Sequence, residues 1–190
     1  VRETWANEHS VTRKFAVTYT ENRGIPDTLL DKISRIAQFN QGLDTTQNLH
    51  ARYNEMDNHN ISDYKAIDRT ASEQEALAVK RGLMPEIEPR YRYPYVNHIF
   101  RSGYSAGYYS YLWAEVLDKD AYEAFVETGD IYNRKIASAF RTEILSKGGS
   151  ADGMTLYTNF RSKEPAREPL LYARGLLEKM PEAPEDPIEE

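Results

Sequence analysis

The sequence predicts an all-α, multi-helix fold, and three observations carry that expectation. Apolar residues recur at three- and four-residue spacing, most clearly at Leu29, Leu30, Ile33, Ile36, Ala37 and Phe39, as in a helix with one apolar stripe. Ser72-Glu73-Gln74-Glu75 is a capping box, in which the Ser72 hydroxyl and the Glu75 carboxylate satisfy each other's backbone amides. No stretch alternates apolar and polar residues between turn signals, and no internal repeat of roughly 20–50 residues occurs.

The elements follow in order. Residues from about Glu3 to Glu21 read as one helix carrying Trp5, Phe15 and Tyr19. Gly24 suits a left-handed stop after it, and Pro26 the first turn of the next helix. The stripe from Leu29 to Phe39 is expected to be buried. Gly42 breaks the pattern, and Leu43, Leu49, Tyr53 and Met56 continue a weaker stripe, with His50 to Glu55 read as helix surface. Asp57 to Asp68 is polar and reads as a connection or a short helix. The capped helix through Leu77 and Val79 stops near Gly82, and three prolines make Pro85 to Pro94 an extended connector. Helices return over Gly107 to Leu117, Ala121 to Thr128 and Ile131 to Leu145. Lys147-Gly148-Gly149-Ser150 is a turn, followed by short helices over Gly153 to Phe160 and Pro165 to Leu177. Residues 1–180 thus form one helical segment, and 181–190 an acidic, proline-rich tail expected to be extended.

Composition narrows the function classes. The chain has 190 residues, enough for a core, and a net charge of −6 from 30 acidic and 24 basic side chains. That balance argues against nucleic-acid or anionic-membrane binding, which needs clustered positive charge. Without cysteine there is no disulfide scaffold, thiolate zinc site, iron–sulfur cluster or cysteine nucleophile. No apolar run approaches the length of a membrane span. The chain opens at Val1 in helix-like sequence and is expected to be a piece of something longer.

The chemistry concentrates in one place. Seven of the 14 tyrosines lie between Tyr91 and Tyr111, around His98, Gly103, Tyr104, Gly107, Tyr108 and Tyr111. If this region is helical, Tyr104, Tyr108 and Tyr111 share a face, and three phenols and an imidazole converge on one ligand atom. Gly103 and Gly107 permit backbone conformations that other residues resist. The competing reading is a half-buried tyrosine stripe with each hydroxyl satisfied locally. Elsewhere, His9, His50 and His59 have no partner at metal-ligand spacing. The sequence holds no H-E-x-x-H, no G-x-S-x-G elbow and no phosphate-binding loop. Alone, the chain carries no complete catalytic apparatus.

Long words in order then carry a resemblance: Phe39-Asn-Gln-Gly42, Arg90-Tyr-Arg-Tyr93 into His98-Ile-Phe100, and Gly107-Tyr-Tyr-Ser-Tyr-Leu-Trp-Ala-Glu-Val-Leu-Asp118. Phe140 to Ser150, Leu156 to Arg161 and Glu164-Pro165 continue it. The chain resembles the thimet oligopeptidase family of zinc metallopeptidases, and within it the bacterial peptidyl-dipeptidase (dipeptidyl carboxypeptidase) and oligopeptidase A branch. Ala137 and Gly153 stand where that family tends to have glycine and proline, and Arg101-Ser102 where it tends to have smaller residues.

The resemblance implies the C-terminal part of a zincin-type catalytic domain, with the zinc ligands upstream of Val1. It implies that zinc-bound water, activated by an upstream glutamate, attacks the scissile carbonyl. His98, Tyr104 and Tyr111 would then take catalytic, oxyanion-facing roles. Gly103, Gly107 and Tyr108 would contact substrate, Gly103 within a mobile loop that closes over the peptide. Short peptides would be the substrates, zinc the cofactor of the full-length enzyme, and the cytoplasm the expected compartment, with the periplasm as alternative. The fragment itself is expected to be inactive and to hold no metal, and its exposed cleft face to be a candidate for self-association. The alternative function is a non-catalytic helical interaction domain.

Overall fold

A computed structural model describes residues 1–63, 86–87, 90–92, 94–101 and 103–180. The capping box at Ser72 to Glu75, residues 85, 88–89 and 93 of the Pro85 to Pro94 connector, and the tail 181–190 lie outside the described residues. Among the described residues every regular element is helical, and the chain divides into two compact units, 1–39 with 114–190, and 40–113.

The first unit opens with α1 (Arg2–Asn7) and α2 (His9–Phe15). The single helix expected over Glu3 to Glu21 is therefore two, because Glu8 takes an extended backbone and interrupts the ladder. The chain then folds back on itself. Val17 and Gly24 form an isolated antiparallel bridge, and Asn22, not Gly24, takes the left-handed conformation at φ +49°. Asparagine tolerates that region because its short polar side chain bonds locally. Helix α3 (Asp27–Gln38) starts after Pro26, as its fixed φ favours. Its stripe is not buried as expected: only Leu30 is, while Ile36 is 72% exposed and Phe39 71%.

The core of this unit is built on α6 (Ser110–Val126), most of which belongs to it, and on two later helices. After α6 come α7 (Arg134–Phe140), which runs directly into a π-helical turn at Arg141–Leu145, α8 (Gly153–Arg161) and α9 (Glu168–Ala173). Asn133 caps α7 by accepting from the amides of Lys135 and Ile136, and Asp152 caps α8 by accepting from Met154 and Thr155. Phe125, Ala121, Ala124, Leu156, Tyr157 and Leu170 are buried. Trp5 packs edge-on to Phe125 at 4.7 Å and donates its indole N–H to the Ile131 carbonyl at 3.0 Å. A buried ion pair sits within this core. Arg161 Nε donates to Asp120 Oδ2 at 3.1 Å and Nη1 to Glu127 at 2.7 Å, while the Tyr157 hydroxyl donates to the same Asp120 oxygen at 2.5 Å.

The second unit holds α4 (Gln41–His59), α5 (His98–Arg101) and the start of α6 (Ser110–Val126). Gly42 does not break α4, since the left-handed residue that separates it from α3 is Asn40, at φ +57°. The buried side of α4 is polar: His50, Arg52, Asn54 and Glu55 are enclosed, and Leu43 and Tyr53 are exposed. This reverses the surface assignment of His50 to Glu55. Helix α6 is one helix where two were expected. Asp118-Lys119-Asp120 reads as a polar break, yet Asp120 lies buried against Arg161, and the partner removes the reason to stop.

Candidate active site

Every sequence-predicted site residue lies in the second unit, so its geometry is internal to one body. His98 opens α5, whose Ile99 is almost fully buried and anchors it. The chain leaves α5 through Gly103, at φ +75°, a conformation that favours glycine. The Ser105 hydroxyl then donates to the Ile99 carbonyl at 2.5 Å and ties the loop back to α5. Gly107 lacks the special backbone expected of it, and the positive φ falls on Ala106 instead, at +54°. Residues 104–109 form turns, and α6 starts only at Ser110.

The tyrosines therefore do not share a helical face. They converge through the turns. The Tyr104 ring stacks on the His98 imidazole at 4.6 Å and 17°, and lies 5.3 Å from Tyr111. Tyr108 stands edge-on to both His98, at 5.9 Å, and Tyr111, at 5.6 Å. His98 Nε2 and the Tyr111 hydroxyl are 2.8 Å apart. One imidazole and three phenols thus form a single cluster, and Gly107, within the turn, donates its amide to the Tyr104 carbonyl at 2.9 Å.

The electrostatics keep the phenols of Tyr108 and Tyr111 protonated. A hydrogen bond with Tyr104 holds the Tyr111 hydroxyl above the usual tyrosine range, helped by desolvation and by the neighbouring phenols. Burial, and then Tyr91, push Tyr108 up, while the cations of Arg52 and Arg90 pull it back. Tyr111 remains 38% exposed, so a ligand can reach it. A neutral phenol at pH 7 is a hydrogen-bond donor that carries no desolvated charge. Around the cluster, Tyr95, Phe100 and Tyr109 are more than half exposed, which makes this surface aromatic and accessible.

Sequence reasoning missed one member of the surroundings. Arg52, on α4, places its guanidinium carbon 5.3 Å from the Tyr108 ring centroid. No local spacing signals a contact between residues so far apart in the chain. The resemblance places the zinc ligands outside this chain. Among the described residues no group of three His, Asp or Glu side chains could hold a metal ion.

Comparison with known proteins agrees with the resemblance. Peptidase family M3 matches residues 1–176. The chain is 38% identical over 177 residues to dipeptidyl carboxypeptidase of Salmonella typhimurium, covering 93% of this chain and 26% of that protein. It is 34% identical to oligopeptidase A of Escherichia coli, covering 92% and 25%, and 30% identical to a probable cytosolic oligopeptidase A of Arabidopsis thaliana, covering 92% and 25%. The chain spans about a quarter of the length of these relatives. No helix among the described residues is long and apolar enough to cross a membrane. On the family match over nearly its whole length, the chain belongs to peptidase family M3, a family of zinc metallopeptidases.

Proposed function

We propose that this chain is the substrate-binding and oxyanion-stabilising part of a zinc-dependent oligopeptidase of the peptidyl-dipeptidase type, acting on short peptides. The observation that carries the reading is the convergence of His98, Tyr104, Tyr108 and Tyr111 on one accessible surface, with protonated phenols at its centre.

The geometry supports a role for each residue. Tyr111 donates to the carbonyl oxygen as negative charge develops on it, and Tyr104 supplies a second phenol beside it. His98 fixes the Tyr111 hydroxyl. When Nε2 carries the hydrogen, it donates to the phenol oxygen, and substrate takes the phenol hydrogen in place of Tyr104. Tyr108 contacts the bound peptide, and Gly103 lies within the loop that closes on it. The described residues do not fit zinc, so no step passes through the metal. Its ligands belong to sequence upstream of Val1, and the enzyme works in the cytoplasm, a reading supported by the cytosolic relative in Arabidopsis thaliana. Residues 1–180 act as one segment of that catalytic domain.

Two measurements test this. The coding sequence immediately upstream should contain H-E-x-x-H followed by a further carboxylate ligand, and a start codon directly before Val1 would contradict the reading. The isolated chain should neither bind zinc tightly nor cleave peptides, since four scattered histidines make no tetrahedral site. Sub-micromolar zinc affinity or peptidase activity from a rigorously purified sample would overturn it.

A further inference from the structure

We propose that Arg52 is a positioning residue for Tyr108, holding its ring at the angle at which the phenol meets the bound peptide. The proposal rests on the reading of the aromatic cluster as the substrate-binding site. Arg52 is only 7% exposed, on the enclosed side of α4, so it does not meet substrate from solvent. Its Nη1 donates to the Asn48 carbonyl at 2.7 Å and to Asn48 Oδ1 at 3.2 Å, one turn back along the helix. Those bonds fix the plane of the guanidinium. Its carbon then stands 5.3 Å from the Tyr108 ring centroid, within the range where a cation is held by an aromatic ring.

The consequence is geometric first. Tyr108 is edge-on to both His98 and Tyr111, an arrangement that depends on the tilt of its ring. The ring sits in a turn and not in a helix, so its own backbone constrains it weakly. A rigid buried cation beside the ring supplies the missing constraint. The second consequence is electrostatic. Burial and the Tyr91 phenol make the Tyr108 hydroxyl a poorer acid, and Arg52 opposes both, keeping it a stronger donor.

The test compares Arg52→Met, Arg52→Lys, Tyr108→Phe and the Arg52→Met/Tyr108→Phe double variant in the zinc-loaded peptidase. Ionisation of Tyr108 is followed by carbon NMR of ring-labelled tyrosine. Tyr108→Phe should raise KM about tenfold with little change in kcat, the size of one lost hydrogen bond. Arg52→Met should raise KM by a similar factor, and the double variant by no more than either alone. The Tyr108 titration of Arg52→Met should move up, and Arg52→Lys, which keeps the cation, should hold it near the wild-type position. Wild-type KM in Arg52→Met alongside a raised KM in Tyr108→Phe would overturn the proposal, as would multiplying effects in the double variant. Wild-type KM in Tyr108→Phe would instead sink the reading of the site. Arg52 is then judged by the titration alone, where an unmoved Tyr108 in Arg52→Met refutes its role. Should Arg52→Met fail to fold, Arg52→Gln is read by the same criteria.

Discussion

Two residues outside the aromatic cluster show how single side chains set the stability on which it stands. Asp120 is 1% exposed, and its charge is answered by Arg161 and by the Tyr157 hydroxyl. Removing one partner of such a pair leaves a buried charge unanswered, which costs far more than the pair itself contributes. Arg161→Met should therefore lower the unfolding free energy by about 3–5 kcal/mol. Tyr157→Phe removes one bond to a charged group and should cost only about 1.5–3 kcal/mol. Urea unfolding of the two variants checks the order, and equal small losses would show that the network is not closed in solution. His50 titrates in the opposite sense to a paired group. It is 1% exposed, and burial holds its pKa below the ordinary 6.5. The unfolded chain then binds the proton that the folded chain refuses. Its contribution is complete above pH 6.5 and is lost as pH falls from there toward the folded pKa. Melting temperatures between pH 7.5 and pH 5, two ordinary assay settings of about that span, should fall more steeply for the wild type than for His50→Gln. Parallel slopes would remove His50 as a contributor.

Elements were legible where the signal is local. The start of α3 was readable from Pro26 and the apolar spacing after it, and the π-helical turn closes the helical stretch expected to end at Leu145. What failed was burial and continuity, because both depend on partners distant in sequence. The apolar stripe of α3 is exposed and the polar side of α4 is enclosed, so apolar spacing alone pointed to the wrong face in each. The continuity of α6 depends on Arg161, 41 residues beyond Asp120. Tyr104, Tyr108 and Tyr111 are neighbours for a different reason from the helical spacing: turns, and not a helical face, bring Tyr104 and Tyr108 to Tyr111. The caps offer a prediction at this scale. Asp152 accepts from two amides at the start of α8, 3.0 and 3.1 Å away, and Asp152→Ala should cost about 1 kcal/mol without touching the site. Thermal unfolding reads it directly, and an unchanged melting temperature would mean that water replaces the cap at no cost.

At the scale of the whole molecule, the chain provides donors, aromatic surface and a positive-φ turn at Gly103, and lacks a metal-binding set among its described residues. An M3 segment that spans about a quarter of its relatives is therefore expected to contribute recognition and transition-state stabilisation, with the attacking water prepared elsewhere. The central claim is that Tyr111 stabilises charge that exists only in the transition state. Tyr111→Phe in the zinc-loaded enzyme tests it most directly, since the change removes one donor and keeps the ring packing against Tyr104 and Tyr108. Turnover should fall about 10²–10³-fold, the size associated with one lost oxyanion donor. KM should move little and zinc content not at all, because the bound substrate and the metal do not depend on that hydrogen. Near-normal turnover with a lowered melting temperature would contradict the account and make Tyr111 a packing residue.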